Sequence, residues 1–410
     1  MTLREDAAYI MQQAITASLP DAAVAKALEH KEFGSGKVVL VAIGKAAWQM
    51  AKTAQEILKD RITDGIVITK HDYSQGPLGK LEIWEAGHPV PDNNSLLATQ
   101  RAIELVSNLS AEDTVLFLIS GGGSALFEKP LISLKELQDI TSDLLASGAD
   151  IVAMNTVRKR LSTVKGGKFA KLCAPAKVYA IVLSDIIGDP LDMIASGPAY
   201  PDTSTSEQAM KIIEQYKIIL PEDAEKALQQ ETPKVLDNVE TVITGSVTEL
   251  AAAGKKAAEE RGYRTVLLTT SLNCEAKEAG AFLAAIGRTY AGKGEKLAVL
   301  AGGETIVHLH GRGKGGRNQE MALSAADGIA GLPGTAVFSF GSDGSDGPTD
   351  AAGGFVDGTT KAALEAQGIA ISDVLADNDA YHALGKVDGL LKTGATGTNV
   401  NDLSVLLIEG

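Results

Sequence analysis

The fold is decided by a short apolar run followed directly by glycines: VLFLISGGGS, at positions 115–124. An uninterrupted apolar run is typical of a strand buried on both faces, as in parallel sheets that are covered by helices. Three consecutive glycines after such a strand are costly unless the backbone must curl or approach another group closely. Because a tight turn needs only one or two glycines, we predict a nest of backbone N–H groups for a phosphate or carboxylate at residues 121–123.

Similar apolar runs lie on both sides of this stretch, at 38–43, 66–69, 81–84 and 178–183, with helical patterns between most of them. This alternation predicts an α/β domain with a doubly wound, mostly parallel sheet. A second alternation begins with the run at 239–244. We therefore predict an N-terminal Rossmann-like domain at residues 1–237 and a second α/β domain at 238–410. In the second domain, the runs 297–301 and 305–310 flank two glycines, which predicts a hairpin and hence a mixed sheet.

The composition excludes several classes of protein. Among 410 residues, 38 Lys+Arg stand against 52 Asp+Glu, which gives a formal net charge of −14. Such a protein repels a phosphate backbone, so we expect no nucleic-acid partner. The apolar runs are far shorter than the ~20 residues that cross a membrane, and the first residues lack the apolar core of a secretion signal. Two cysteines without metal-binding spacing suggest a reducing compartment, and we predict a cytoplasmic location.

A lysine follows the first predicted strand, in the sequence Gly44-Lys45, just before a predicted helix. Ligands of open α/β sheets lie beyond the carboxyl ends of the strands, and the N–H groups at a helix start attract anions. Lys45 is therefore a candidate anion-binding residue. A solvated lysine at a helix start explains the pattern equally well.

A second glycine-rich stretch, GRGKGGRNQE at 311–320, carries three cations and leads into a predicted helix near Asn318. Its glycine spacing matches a dinucleotide fingerprint, but it follows a predicted hairpin and not a βαβ unit, so we reject that interpretation. The cations indicate an anion clamp, in which Arg317 can make a bidentate contact. The alternative is a mobile cationic hairpin end. The candidate phosphate-binding residues here are Gly313, Lys314, Gly315, Gly316 and Asn318.

Acidic side chains follow two predicted strands. Asp185 and Asp189 come after the run 178–183, and Asp343 and Asp346 lie in the glycine-punctuated loop 341–350. One or two carboxylates together with substrate phosphates form a typical Mg²⁺ site, so Asp185, Asp343 and Asp346 are candidate metal ligands. Asx turns, caps or a solvated acidic turn are the alternatives.

Two further stretches contain groups that could bind a phosphate. The loop 393–399 presents hydroxyl and amide groups, and its candidates are Thr396, Thr398 and Asn399. The basic run Arg158-Lys159-Arg160 and the segment KGGK at 165–168 most simply form a solvated helix face, with one or two cations left to point into the site.

Ten short motifs, in order along almost the whole chain, carry a resemblance to a known family. Together they resemble the glycerate kinase family that joins an N-terminal α/β domain to a C-terminal MOFRL domain. The motifs are GKAA at 44–47, AGHPVPD at 86–92, SGGGSAL at 120–126, KGGK at 165–168, SDIIGD at 184–189, SGP at 196–198, GGET at 302–305, GGRNQE at 315–320, SDGSDGPTD at 342–350 and TGTN at 396–399.

The resemblance implies transfer of the γ-phosphoryl group of ATP to the 2-hydroxyl of D-glycerate, with Mg²⁺ or another divalent cation. It also implies that the family's functional residues fall on Lys45 and Arg317, one from each domain. We predict that these two cations neutralise the transferring phosphoryl group and the glycerate carboxylate across an interdomain cleft. Asp185, Asp189, Asp343 or Asp346 would hold Mg²⁺, and one of them, with Asp185 and Asp189 as the catalytic candidates, would accept the hydroxyl proton. The glycine nests would cradle phosphates, and the candidates around the first are Ser120, Gly121, Gly122, Gly123 and Ser124.

The predicted partners are the small molecules glycerate and ATP. We expect no association with a membrane, and a homodimer is left open. Other functions are an NAD(P)H-dependent hydroxypyruvate reductase, a kinase for another small hydroxy acid, or a non-catalytic nucleotide sensor. The reductase would need a dinucleotide fingerprint after the first strand, and the sequence AIGKAA at 42–47 is not one.

Overall fold

A computed structural model describes residues 2–184, 191–394 and 396–410. The chain forms two compact units. We call Ala23–Thr244 the central unit, and Met1–Ala22 together with Gly245–Gly410 the split unit. These units differ from the predicted bounds 1–237 and 238–410 at two places. The first 22 residues cluster with the C-terminal part, and the second boundary lies seven residues later than predicted.

The strands of the described residues are short and mostly buried. They are β1 Val38–Ile43, β2 Ile62–Lys70, β3 Glu82–Ala86, β4 Thr114–Ile119, β5 Lys177–Val182, β6 Val239–Ile243, β7 Arg264–Leu272, β8 Leu297–Gly303, β9 Thr335–Gly341, β10 Gly353–Asp357, β11 Leu390–Leu391 and β12 Asp402–Ile408.

Helices connect most of these strands. Within the same described ranges they are α1 Leu3–Ala17, α2 Pro20–Leu28, α3 Ala47–Leu58, α4 Asn93–Val106, α5 Gly123–Leu126, α6 Leu134–Ala146, α7 Ile151–Leu161, α8 Lys168–Leu172, α9 Ser206–Gln215, α10 Glu222–Leu228, α11 Val247–Glu260, α12 Ala276–Tyr290, α13 Arg317–Gly328, α14 Thr360–Glu365, α15 Ile371–Ala376 and α16 Ala380–Lys386; Lys59–Arg61 and Ile194–Ser196 are 3₁₀ turns.

The central unit contains a parallel sheet with the strand order β3-β2-β1-β4-β5-β6. Every neighbouring pair runs parallel. The inner strands β1 and β4 are buried along their whole length, which explains their uninterrupted apolar sequences. The predicted doubly wound parallel sheet is confirmed. The sequence places β6 in the second domain, however, and this assignment is wrong because β6 pairs with β5 as the last strand of the first sheet.

The split unit contains a mixed sheet with the order β11-β10-β9-β12-β8-β7. Strands β7 and β8 are parallel, whereas β8, β12, β9, β10 and β11 pair antiparallel in that order. The predicted mixed sheet is confirmed, but the predicted hairpin at 297–310 is wrong. Strand β8 continues through Gly303, and the next residues make one isolated bridge, from Ile306 to Glu275.

The N-terminal helix α1 belongs to the split unit because its apolar face packs on α11. Ala7, Ile10, Met11 and Ala14 of this helix are buried. Its buried Asp6 accepts a hydrogen bond of 2.8 Å from the hydroxyl of Tyr263, the residue directly before β7. A sequence pattern can predict the helix but not its distant partner, which explains the misplaced domain bound.

Candidate functional site

The strand order of the central sheet fixes where a ligand can bind. The order β3-β2-β1-β4-β5-β6 reverses direction between β1 and β4. In open α/β sheets, ligands lie in the crevice beyond the carboxyl ends of the strands at such a reversal. Lys45 follows β1, and the glycines 121–123 follow β4. The fold therefore brings the first predicted cation and the first predicted glycine nest to this crevice.

The two loops at the reversal are tied together by Ser120. Its buried hydroxyl donates to the carbonyl oxygen of Ile43 and accepts from the N–H of Ala46, each at 3.1 Å. Gly44 has a φ of +111°, and a Cβ there would lie 2.3 Å from the Ser120 Oγ. The Ser120 hydroxyl is therefore engaged by backbone groups, and the prediction that it binds phosphate is not supported by this arrangement.

The glycine loop also supports two side chains. Gly122 has a φ of +86°, and a Cβ at this position would lie 3.1 Å from the Cδ2 of His88 and 3.2 Å from the Cγ of Lys45. Lys45 donates its backbone N–H to the carbonyl oxygen of Gly121 at 2.8 Å. Partial burial, with the charges of Lys45 and Lys70, lowers the pKa of His88 below its ordinary value. His88 is therefore a neutral group at neutral pH, packed beside a lysine.

A cavity of about 280 Å³ opens at this crevice, within the central unit. Its volume lies at the small end of ligand pockets, which suits a molecule of a few heavy atoms. On one side, the hydroxyls of Ser124 and Ser196 are 2.9 Å apart, and Ser196 donates to the Oδ1 of Asn155 at 3.1 Å. The cavity is lined by His88, Pro89, Gly121, Gly122, Ser124, Ala125, Ile151, Asn155, Arg158, Met193 and Ala195.

The basic residues near this cavity do not form the predicted solvated helix face. Lys165 is fully buried, forms an ion pair of 3.2 Å with Glu128, and donates to the carbonyl oxygens of Ser124 and Phe127. Lys159 and Arg160 are buried too, and both approach Asp202. These cations brace the loops around the cavity, so the solvated interpretation is wrong for them.

Lys168 is also largely covered, because its ammonium donates to the carbonyl oxygens of Arg160 and Ser162, at 3.1 and 2.6 Å. Burial lowers the pKa of Lys165 to about 8, and burial with the charge of Arg160 does the same for Lys168.

In the split unit, Arg317 is the first residue of α13 and is held by two carboxylates. Its Nε and Nη2 atoms donate to Asp402 at 2.5 and 3.0 Å, and its Nη1 lies 3.2 Å from Glu304. Burial opposes the charge of Arg317, but the bonds and charge of Asp402 hold the pKa of Arg317 above its ordinary value. Arg317 is thus a fixed, permanently charged group with part of its surface exposed.

The carboxylate of Asp346 caps α13. Its two oxygens accept from the backbone N–H groups of Asn318 and Gln319, at 3.1 and 2.9 Å, and from the side-chain amides of both residues. Gly316 is required here because a Cβ would lie 2.3 Å from the Asp346 Cγ. Asn318 is buried, and its Oδ1 accepts from Ser339 at 2.6 Å. Asp346 and Asn318 are thus engaged in the fold, which does not support their predicted metal- and phosphate-binding roles.

The loop before α13 also contacts the protein itself. The N–H of Gly313 donates to the carbonyl oxygen of Asp377, and the N–H of Lys314 donates to the carboxylate of Asp379, each at 2.8 Å. A Cβ at Gly313 would lie 2.4 Å from the Asp379 Cβ, and a Cβ at Gly315 would lie 3.3 Å from the backbone nitrogen of Ala380. At Gly313 and Lys314, a contact between two loops replaces the predicted phosphate nest.

Two other predicted stretches are brought together. Thr396 donates its hydroxyl to the carbonyl oxygen of Ser342 at 2.6 Å, and its N–H contacts the carbonyl oxygen of Asp343 at 3.3 Å. Thr398 is buried and donates to the carbonyl oxygen of Ser18, whereas Asn399 is exposed. The acidic loop and the hydroxyl-rich loop therefore form one surface, on which Asp343 and Asn399 remain accessible.

The structure limits which carboxylates could bind a metal. Among residues 2–184, 191–394 and 396–410, no group of three or more His, Cys, Asp and Glu side chains is placed to hold an ion. Asp343 is half-buried, and its Oδ1 accepts one bond from the N–H of Ser345, so its donor chemistry fits Mg²⁺ bound jointly with phosphates. Asp185 and Asp189 lie outside the described residues, so their predicted roles stay predictions.

Several groups at these sites were not predicted from the sequence. Two carboxylates hold Arg317: Asp402 is the first residue of β12 and pairs with Gly303, and Glu304 comes directly after β8. Glu304 is part of the motif GGET, and Asp402 follows the motif TGTN by three residues, so the motif positions were a usable signal. Asn155 carried no signal, because a buried amide on a helix looks like any polar helical residue.

The fold and the cation beside a small polar cavity define an α/β enzyme class that acts on a small anionic molecule. Models of two families match the chain: a domain of unknown function, DUF4147, at residues 6–229, and the MOFRL family at residues 297–402. Among the helices of the described residues, none has both the length and the apolar composition that a membrane crossing requires.

Similar proteins carry more specific names. D-glycerate 2-kinase of Thermotoga maritima is 52% identical, over 99% of this chain and 99% of that protein. Glycerate 2-kinase of Pyrococcus horikoshii is 41% identical, over 100% of this chain and 98% of that protein. A crystal structure of glycerate kinase from Thermotoga maritima matches with a TM-score of 0.95 at 52% identity, covering 99% of both chains. The chain belongs to the glycerate 2-kinase family.

Proposed function

We propose that this protein, an enzyme of the glycerate 2-kinase family, transfers the γ-phosphoryl group of ATP to the 2-hydroxyl of D-glycerate. The observation that carries the proposal is the small cavity at the reversal of the central sheet, with Lys45 beside it at Gly122. A cavity of about 280 Å³ suits a three-carbon acid and is too small to enclose ATP as well.

Phosphoryl transfer depends on positioning and on neutralising the charge that develops on the phosphate oxygens. In the proposed reaction, the 2-hydroxyl oxygen bonds to the γ-phosphorus, the bond to the bridging oxygen of ADP breaks, and the hydroxyl proton passes to a carboxylate. Lys45 and Arg317 neutralise the phosphoryl oxygens, and the predicted interdomain cleft is part of this proposal. Asp185 and Asp189 are the proposed proton acceptors.

We also propose Mg²⁺ as the cation, bound by the triphosphate and by Asp343, whose accessible carboxylate has the oxygen chemistry that Mg²⁺ prefers. When bound, the ion would neutralise charge on the phosphates. Asp346 is not included, because its oxygens already accept the N–H groups that begin α13. The cytoplasmic location and the homodimer belong to the proposal as well, and gel filtration with light scattering tests the latter.

The test replaces each proposed cation separately, by Lys45→Met and Arg317→Leu, with Lys135→Met as control. Lys135 has 82% of its side chain exposed and forms an ion pair with Asp139 of its own helix. Removing one group that stabilises a developing oxyanion costs roughly 10²–10³ in kcat, so we expect losses of at least that size for both variants and none for the control. ADP release with and without D-glycerate measures the rate, and phosphorus NMR identifies the product.

Near-normal turnover in the Lys45 or Arg317 variant would contradict the assigned roles. The same assay separates the alternatives. ATP-independent oxidation of NADH or NADPH with hydroxypyruvate would support the reductase. Faster turnover with another small hydroxy acid than with D-glycerate would change the substrate and leave the reaction class intact.

A further inference from the structure

Among the described residues that line the cavity in the central unit, Arg158 is the one permanently charged side chain. This residue lies in the last turn of α7, whose first turn is capped by Asp150. One amino group, Nη2, donates to the carbonyl oxygen of Ser124 at 3.2 Å, which ties the guanidinium to the loop after β4. Arg158 is therefore held in place at the wall of the cavity.

The guanidinium of Arg158 has donor capacity that the described residues do not use. Its Nε is fully buried and has no hydrogen-bond partner among them. A guanidinium has five N–H donors, and a buried donor without an acceptor is unfavourable. Because Arg158 lines the cavity, a bound molecule can approach its guanidinium and supply an acceptor that the described residues do not provide.

Two neighbouring cations, unlike Arg158, are paired with carboxylates. Arg160 pairs with Glu231 at 3.2 Å, and Lys165 pairs with Glu128 at 3.2 Å. Within the described ranges, Arg158 forms no such ion pair. Burial lowers the pKa of Arg158, and the more distant charge of Glu128 opposes this lowering only in part. Buried charges in proteins are normally paired. Of these three cations, Arg158 alone has no ion-pair partner among the described residues, and it lines the cavity.

We propose that Arg158 binds the carboxylate of the substrate acid. This inference rests on the proposed function and makes it more specific. The planar guanidinium fork matches a carboxylate in a bidentate contact. The cavity also offers the side chains of Ser124 and Asn155 as further polar groups. With the carboxylate held at Arg158, Lys45 is left to act on the phosphoryl group and not on the acid.

The test compares Arg158→Met and Arg158→Lys with the exposed control Lys135→Met. D-glycerate is compared with glyceramide, in which a neutral amide replaces the carboxylate. Loss of a charge-assisted contact predicts a KM for D-glycerate about 10- to 100-fold higher in Arg158→Met, with an unchanged KM for ATP. The ratio of kcat/KM for the acid to that for the amide falls towards one. Arg158→Lys keeps the charge without the fork and gives an intermediate KM.

Two results would overturn the inference. One is a KM for D-glycerate within twofold of the wild type in both variants. The other is an equal loss for acid and amide, since a structural role alone would affect both substrates. If Arg158→Met does not fold, the KM and the acid-to-amide ratio of Arg158→Lys decide the outcome.

Failure of the proposed function looks different, because the wild type itself would then release no ADP with D-glycerate. In that case, calorimetric binding of D-glycerate to the wild type and to Arg158→Lys still tests the carboxylate site. Equal affinity, or no binding to either protein, would overturn the inference.

Discussion

The substitution Gly122→Ala tests whether the glycine loop positions Lys45 and His88. Gly122 has a φ of +86°, so an alanine there pays the cost of left-handed backbone, about 1–2 kcal/mol. Its Cβ would also lie 3.1–3.3 Å from atoms of His88 and Lys45, which must then shift by a few tenths of an ångström. Displacements at a reacting group reduce turnover steeply, and we expect kcat to fall about tenfold or more.

Gly148→Ala is the matched control. Gly148 also lies in the central unit and has a φ of +79°, but a Cβ there meets nothing within 4 Å. Both variants should therefore lose a similar amount of stability from left-handed backbone, and of the two only Gly122→Ala adds a Cβ close to His88 and Lys45. Urea unfolding measures the two stability losses, and ADP release at saturating D-glycerate measures kcat.

A clear result refutes the argument. If Gly122→Ala keeps the kcat of the wild type while losing as much stability as Gly148→Ala, the packing of Lys45 over the loop has no role in turnover. If Gly148→Ala loses activity to the same extent, the effect comes from general destabilisation.

Three further predictions concern the groups around the two sites. Lys165→Met leaves the buried Glu128 unpaired and should lower the free energy of unfolding by about 3–5 kcal/mol. The double variant Lys165→Met/Glu128→Gln should recover part of this loss. A loss below about 1 kcal/mol in urea unfolding would contradict the prediction. Because the pKa of His88 is lowered in the folded protein, its stabilising contribution is present above the ordinary value of 6.5 and is lost as the pH falls through and below it. Wild type should thus lose more stability between pH 7 and 5 than His88→Gln, and equal slopes would exclude this. Asp346→Ala removes the cap of α13 and should lower the free energy of unfolding by about 2–3 kcal/mol. Asp343→Ala should change stability little, and it is instead expected to raise the Mg²⁺ concentration needed for activity.

The parts of the fold that depend on local sequence were predicted well. Strands β1 and β4 are buried on both faces, so their apolar runs identify them without any knowledge of their partners. The positions of Lys45 and of the glycines 121–123 follow from these strands, because a loop after a parallel strand lies at a fixed edge of the sheet.

The parts that depend on distant contacts were not predicted. Glycines at 302 and 303 suggested a turn, whereas both belong to β8, which ends at Gly303. Gly303 is a glycine because a Cβ there would lie 2.2 Å from the carbonyl oxygen of Leu272. The acidic loop 341–350 suggested a metal site, whereas Asp346 reaches back to cap a helix that begins 29 residues earlier in the chain. The sequence alone does not distinguish a glycine in a turn from one in a strand, or a metal-binding aspartate from a helix cap. The residues that lie next to it in the folded protein determine which role it has.

The placement of α1 has a consequence for synthesis on the ribosome. This helix is made before the central unit, yet its partner α11 begins only at Val247, after the whole central unit has been translated. The central unit is a continuous segment and can fold while the nascent chain is still growing. Until α11 emerges, the apolar face of α1, with Ile10 and Met11, lacks the surface that it covers in the folded protein, and we expect this face to make the nascent chain prone to aggregation.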